Sequence, residues 1–152
     1  MALVQGFKQL RVYSSGIEAA MRIFEYSKQW PRDERYALTD QIRRSSRSVC
    51  GNIAEAWRKR LYVPNFVSKL SDASAEAAET QVWLSFAREC GYLDATVYTE
   101  IDLVYHQIGG GLVKMMAEAE TWCGPATLRE EGGEYTVNGM PDDNFENAPL
   151  GS

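Results

Sequence analysis

Histidine is nearly absent from this chain, with His106 alone, and cysteine is scarce, with Cys50, Cys90 and Cys123. Three widely spaced cysteines do not make a disulfide framework, and none of them has zinc-site spacing. A ferritin-like di-metal bundle needs inward carboxylates and two Glu-x-x-His units, which one histidine cannot supply. A phosphate-cradling loop is missing as well. Gly109-Gly110-Gly111 runs into Leu112-Val113-Lys114, without a leading strand or a Gly-Lys-Ser/Thr ending. No apolar run approaches the ~20 residues that span a bilayer. Met1 to Leu10 lacks the basic start, long apolar stretch and cleavage site of a signal peptide. These absences predict a cytoplasmic protein off the membrane, with no cofactor, metal, evident small-molecule substrate or catalytic residue, and therefore not an enzyme.

Net positive charge is also lacking, because the formal charge is −5. That value is unevenly spread. Residues 123–152 hold Glu130, Glu131, Glu134, Asp142, Asp143 and Glu146 against Arg129 alone and carry −5, whereas residues 1–122 sum to zero. The last thirty residues are also rich in Gly and Pro and have little periodicity. They read as a flexible acidic tail (123–152), with a short strand around Glu134–Gly139 as the lesser alternative. Residues 1–122 read as the folded unit.

What is present is helical periodicity. Ile17, Ala20, Met21 and Phe24 share a face of a first helix, for which Ser15 and Glu18 have capping-box spacing and Pro31 supplies the stop. A second helix is expected from about Asp33 to Arg60, with Leu38, Ile42, Ser45, Val49, Ile53 and Ala56 on one side. Pro64 suits the first turn of a third. Its stripe is Phe66, Leu70, Ala73, Ala77 and Leu84, and Gly91 ends it. Asp94 caps a fourth, with a stripe of Val97, Ile101, Val104, Ile108, Leu112, Met115 and Met116. Gly109–Gly111 lie inside that helix at about 1 kcal/mol each relative to Ala, so either the helix kinks or another backbone packs closely there. Four helices with short loops predict an all-α, antiparallel up-down four-helix bundle.

The second helix segregates its charge. Arg43, Arg44, Arg47 and Arg58 fall within a quarter-turn opposite its apolar stripe, and Lys59 and Arg60 extend them into the loop. Arginine's planar fork can hold two phosphate oxygens, so this stripe is a candidate surface for RNA or DNA, with Tyr62 the aromatic placed to stack on a base. The third helix carries Asp72, Glu76 and Glu79 at the same pitch. In an oligomer these acids could instead pair with the arginines of the next subunit, making the stripes an assembly device. Gln41, Ser48, Asn52 and Glu55 form a third stripe. It is either a half-exposed flank or, as the favoured reading, a structural hydrogen-bond network at a subunit contact or pore, with Glu55 bonded to an arginine or to backbone amides. Trp57, Trp83 and Trp122 sit at the margins of apolar stripes. Cys50 lies near Arg47, which could stabilise a thiolate, but no base is spaced beside it.

Several of these segments occur together in order: Pro31 followed by Glu34, Tyr36 and Leu38-Thr39, then Gln41-Ile42-Arg43-Arg44, Ser48-Val49 and Asn52-Ile53-Ala54-Glu55. Farther on come the run Ser68 to Leu84 and Cys90-Gly91-Tyr92-Leu93, with Phe7-Lys8-Gln9-Leu10 and Val12-Tyr13 ahead of them all. Over residues 7–120 this resembles the 23S rRNA intervening-sequence proteins, also called S23 ribosomal-protein-like. Ala56, where many members have Gly, and Ser45-Ser46 after the arginine pair depart from the pattern, and the acidic tail is outside it. The resemblance implies a four-helix bundle that assembles as a ring-like homo-oligomer, a homopentamer, and implies nucleic-acid association by context. It supplies no enzymatic activity.

Overall fold

The computed structural model describes residues 4–125. Its long helices are α1 (Arg11–Ser27), α2 (Leu38–Arg58), α3 (Val63–Glu89) and α4 (Ala95–Ala117), followed by a single turn, α5 (Ala119–Trp122). Short 3-10 turns at Phe7–Gln9 and Arg32–Glu34 lead into α1 and α2. No strand occurs among the described residues. Around the bundle α1 packs on α2, α2 on α3, α3 on α4 and α4 on α1, the arrangement of an up-down four-helix bundle. No helix of the described residues is long and apolar enough to cross a membrane.

The helix boundaries follow local chemistry. Asp94 caps α4, its Oδ1 accepting from the Val97 amide at 2.8 Å. Pro64 lies in the first turn of α3. Gly91 ends that helix in the left-handed region at φ 78°, and the Tyr92 amide reaches back to the Ala87 carbonyl. Two expected starts differ. The Ser15–Glu18 capping box does not form, because α1 begins a turn earlier at Arg11, where buried Leu10 and Val12 draw the chain into the core. Helix α2 begins at Leu38 rather than Asp33, since the preceding residues form the 3-10 turn and Ala37 leaves helical geometry at φ −121°, ψ −107°.

Every apolar residue expected on the inner faces of α2 and α3 is buried. In α1 the expected face is wrong. Val12, Gly16, Ala19, Ile23 and Ser27 point inward, whereas Ile17 and Met21 are 41% and 53% exposed. The inner seam uses small residues because neighbours approach closely there. A Cβ added at Gly16 would lie 3.0 Å from Cys50 Sγ. In α4 the buried set includes Tyr105, which the expected stripe omits and whose hydroxyl has no hydrogen-bond partner among the described residues. Helix α4 continues through Gly109–Gly111, and a Cβ at Gly111 would meet Val12 Cγ1 of α1 at 2.7 Å. Gly109 and Gly110 have no such neighbour.

The packed chain extends past Trp122. Trp122 meets Trp57 edge-on with ring centroids 6.1 Å apart, and the Gly124 amide donates to the Arg60 carbonyl at 3.0 Å. The expected acidic tail lies outside the described residues from 126 onward.

Candidate nucleic-acid interface

The outer face of α2 carries an open groove of about 600 Å³ lined by Asp40, Arg43, Arg44, Arg47, Ser48 and Gly51. Ser48 and Gly51 are small, so the groove floor is near backbone and the arginines form its walls. Of the sequence candidates, these three arginines are the ones the fold brings together.

Two of them are held by α1. Arg43 Nε donates to Ser27 Oγ at 2.9 Å, and Ser27 in turn donates to the Phe24 carbonyl at 3.1 Å. This uses only Nε of the guanidinium and leaves its terminal fork for an acceptor in the groove. The Phe24 ring sits beneath the guanidinium carbons of Arg43 and Arg47, at 4.8 and 5.9 Å from its centroid, and Lys28 Nζ is 4.7 Å from the same centroid. Three cations thus gather round one aromatic ring, whose quadrupole attracts each of them. Phe24 and Ser27 were not legible as site residues. Phe24 reads as core by its spacing, and nothing in the sequence says that α1 packs beside Arg43.

The third arginine faces the other neighbour. Arg44 lies 3.7 Å from Glu79 of α3, with 60% of its side chain exposed. Glu79 also accepts from Trp83 Nε1 at 3.3 Å. Glu76 beside it is half-buried and has one carboxylate oxygen without a partner. Burial raises its pKa above the usual carboxylate value, the nearby Glu79 charge raises it further, and Arg44 partly opposes both. Asp72 lies 3.8 Å from Lys69, which also holds Glu55 at 2.8 Å. The Lys69 hydrogen bond keeps the Glu55 carboxyl below its usual value. Acidic α3 and basic α2 therefore meet within one chain, and Glu55 is partnered by a lysine of α3 rather than by an arginine or backbone amides.

The remaining stripe does not form a joint network. Asn52 Nδ2 donates to the Ser48 carbonyl at 3.0 Å, one turn back on its own helix, and no side-chain hydrogen bond links Gln41 or Glu55 to Asn52 among the described residues. The polar contact that does bridge α2 and α3 is buried: Ser45 Oγ and Thr80 Oγ1 are 2.8 Å apart.

At the far end of α2, Arg58, Lys59 and Tyr62 are exposed, Tyr62 by 58%. Arg60 is not part of this surface. It is 1% exposed, its guanidinium lies 3.5 Å from the Trp57 ring centroid, and its Nε donates to the Trp57 carbonyl at 2.8 Å. The Lys59-Arg60 pair looks uniformly basic in sequence, but an arginine can lay its flat face on an indole and be buried. Trp57 is itself 2% exposed, well inside the margin expected for it.

Burial pushes the Cys50 thiol up to about 11, so Arg47 does not make it a thiolate. No group of three or more His, Cys, Asp or Glu residues among those described is arranged to hold a metal ion.

Comparison with known proteins agrees with this architecture. A solved protein of unknown function from the S23 ribosomal protein family of Bacteroides thetaiotaomicron VPI-5482 is 28% identical. The match covers 70% of this chain and 95% of that one, with a TM-score of 0.62. No curated protein matches. The family model of the 23S rRNA-intervening sequence protein matches residues 8–114, from just before α1 almost to the end of α4. The chain therefore belongs to the 23S rRNA-intervening sequence protein family.

Proposed function

We propose that this chain is a non-enzymatic, self-assembling helical bundle that binds RNA or DNA through phosphate contacts in the α2 groove. One observation carries the reading: Arg43, Arg44 and Arg47 line one groove, with Arg43 and Arg47 set by Phe24 and Arg43 also by Ser27. A preset guanidinium fork loses less side-chain entropy on meeting a phosphate than a loose one. Arg58 and Lys59 continue the basic line, about 24 Å from Arg43 at 1.5 Å per residue. Arg60 is left out of it.

The alternative, a scaffold whose charged stripes serve assembly only, loses part of its ground because Arg44 and Glu79 already face each other within the chain. Assembly has better support from apolar surface: Ile17 and Met21 on α1, Val82 and Phe86 on α3, and Leu103 and Val113 on α4 are all exposed.

The test is nucleic-acid binding at several salt concentrations, comparing wild type with the Arg43/Arg44/Arg47→Ala variant, with light scattering on both. Each lost phosphate contact flattens the slope of log affinity against log salt by about 0.7–0.9, so three arginines are worth a change of about 2–3. That result with the oligomer intact supports groove binding. Loss of the oligomer supports the scaffold. No binding by wild type at low salt refutes the proposal.

A further inference from the structure

Tyr36 is the most exposed large apolar side chain among the described residues, at 83%. It lies in the turn between the 3-10 turn at Arg32–Glu34 and the start of α2. Its ring contact is with its neighbour Arg35, whose guanidinium carbon is 5.4 Å from the ring centroid. An aromatic ring left this far in water contributes little to the core and offers an open face. It is also close to the groove. Asp40, which lines the groove, is four positions after Tyr36, so their Cα atoms are at most about 14 Å apart. That is a span of a few nucleotides.

Resting on the phosphate-binding reading, we infer that the site takes a single strand, whose backbone follows Arg43, Arg44 and Arg47 while an unpaired base stacks on Tyr36. The chemistry selects the strand type. Inside a duplex a base shows only its edge, and its faces are occupied by neighbouring base pairs. A single strand can present a face to an aromatic ring, and a guanidinium beside the ring adds a cation to the stack. Tyr62, at the other end of α2 beside Lys59, is a second exposed ring, eleven positions past Gly51 against the four between Tyr36 and Asp40. Stacking is nearly salt-independent and phosphate contact is strongly salt-dependent, so the two contributions separate experimentally.

The experiment measures fluorescence anisotropy of the full chain. The probes are labelled single-stranded RNA and single-stranded DNA of about twelve nucleotides, within the usual site sizes for such binders, and the matching DNA duplex. Wild type is compared with Tyr36→Ala, Tyr36→Phe and Arg43/Arg44/Arg47→Ala, and light scattering accompanies each. The expected result is tighter binding of single strand than of duplex. Tyr36→Ala should weaken single-strand binding by about tenfold, as loss of one base stack does. Its salt slope should stay unchanged, and Tyr36→Phe should keep the affinity. Relative affinity for the two single strands then identifies the sugar preferred. Duplex binding as tight as single-strand binding overturns the inference and leaves the phosphate reading standing. So does unchanged affinity of Tyr36→Ala where the arginine variant fails. Loss of the oligomer in Tyr36→Ala overturns it by making Tyr36 a subunit contact. No binding of any probe by wild type removes both readings.

Discussion

Replacing Gly111 with alanine should leave the bundle no more stable or destabilise it, while the same change one residue earlier should stabilise it. In an exposed helix interior, glycine to alanine gains about 1 kcal/mol from helix propensity. At Gly110 nothing lies within 4 Å of the new methyl group, so that gain should appear in full. At Gly111 the methyl carbon would sit 2.7 Å from Val12 Cγ1. Val12 is 8% exposed and β-branched, so its methyl group cannot swing away without moving α1 or leaving its preferred rotamer. Overpacking of this kind costs about 1–3 kcal/mol, which cancels or exceeds the propensity gain. Gly110→Ala should therefore raise the melting temperature by about 4 °C, and Gly111→Ala should leave it unchanged or lower it by up to about 8 °C. Urea unfolding at one fixed protein concentration, with light scattering to hold assembly constant, gives the free energies. The decisive arm is a double-mutant cycle with Val12→Ala, where trimming the valine makes room for the new methyl group. A favourable coupling of about 1–3 kcal/mol is expected. Gly111→Ala stabilising as much as Gly110→Ala, or a coupling near zero, would refute the close approach of α1 and α4.

Glu79→Gln frees Arg44 from its carboxylate and should raise nucleic-acid affinity, most at low salt, and unchanged affinity in a titration would count against Arg44 as a phosphate contact. Deleting residues 126–152, which hold a charge of −5, should likewise strengthen binding at low salt if the acidic segment competes with phosphates, as the same titration would read. The Glu76 carboxyl is raised in the folded state, so folding stability falls as pH climbs from its unfolded value through its folded one, and the full penalty persists above that. Glu76→Gln should therefore have a higher urea midpoint than wild type at pH 7, with the difference vanishing below about pH 4. Arg60→Lys should destabilise the fold by about 3 kcal/mol, because an ammonium cannot stack flat on Trp57, and thermal unfolding would show it.

The all-helical architecture was largely written in the sequence, because burying one face of a helix imposes a 3.6-residue period on the order of its apolar residues. The inner faces of α2 and α3 were legible for that reason, as were Pro64, Gly91 and Asp94, whose backbone chemistry acts locally. Helix α1 was not. Apolar residues lie on most of its sides, and Ile17 and Met21, large as they are, face outward. The true seam runs Val12, Gly16, Ala19, Ile23 and Ser27; its small members sit where another helix comes close, and that distance is a property of two helices. The site divides in the same way. Arginines on one side of α2 follow from the helical period. Sequence alone left open which of them stay on the surface and which partner holds each. Arg60 lies flat on Trp57, Arg43 is bonded to Ser27, and Arg44 faces Glu79 of the same chain. Guanidinium groups are long enough and amphipathic enough to suit burial, pairing or solvent, and only the packing of neighbouring helices selects among the three.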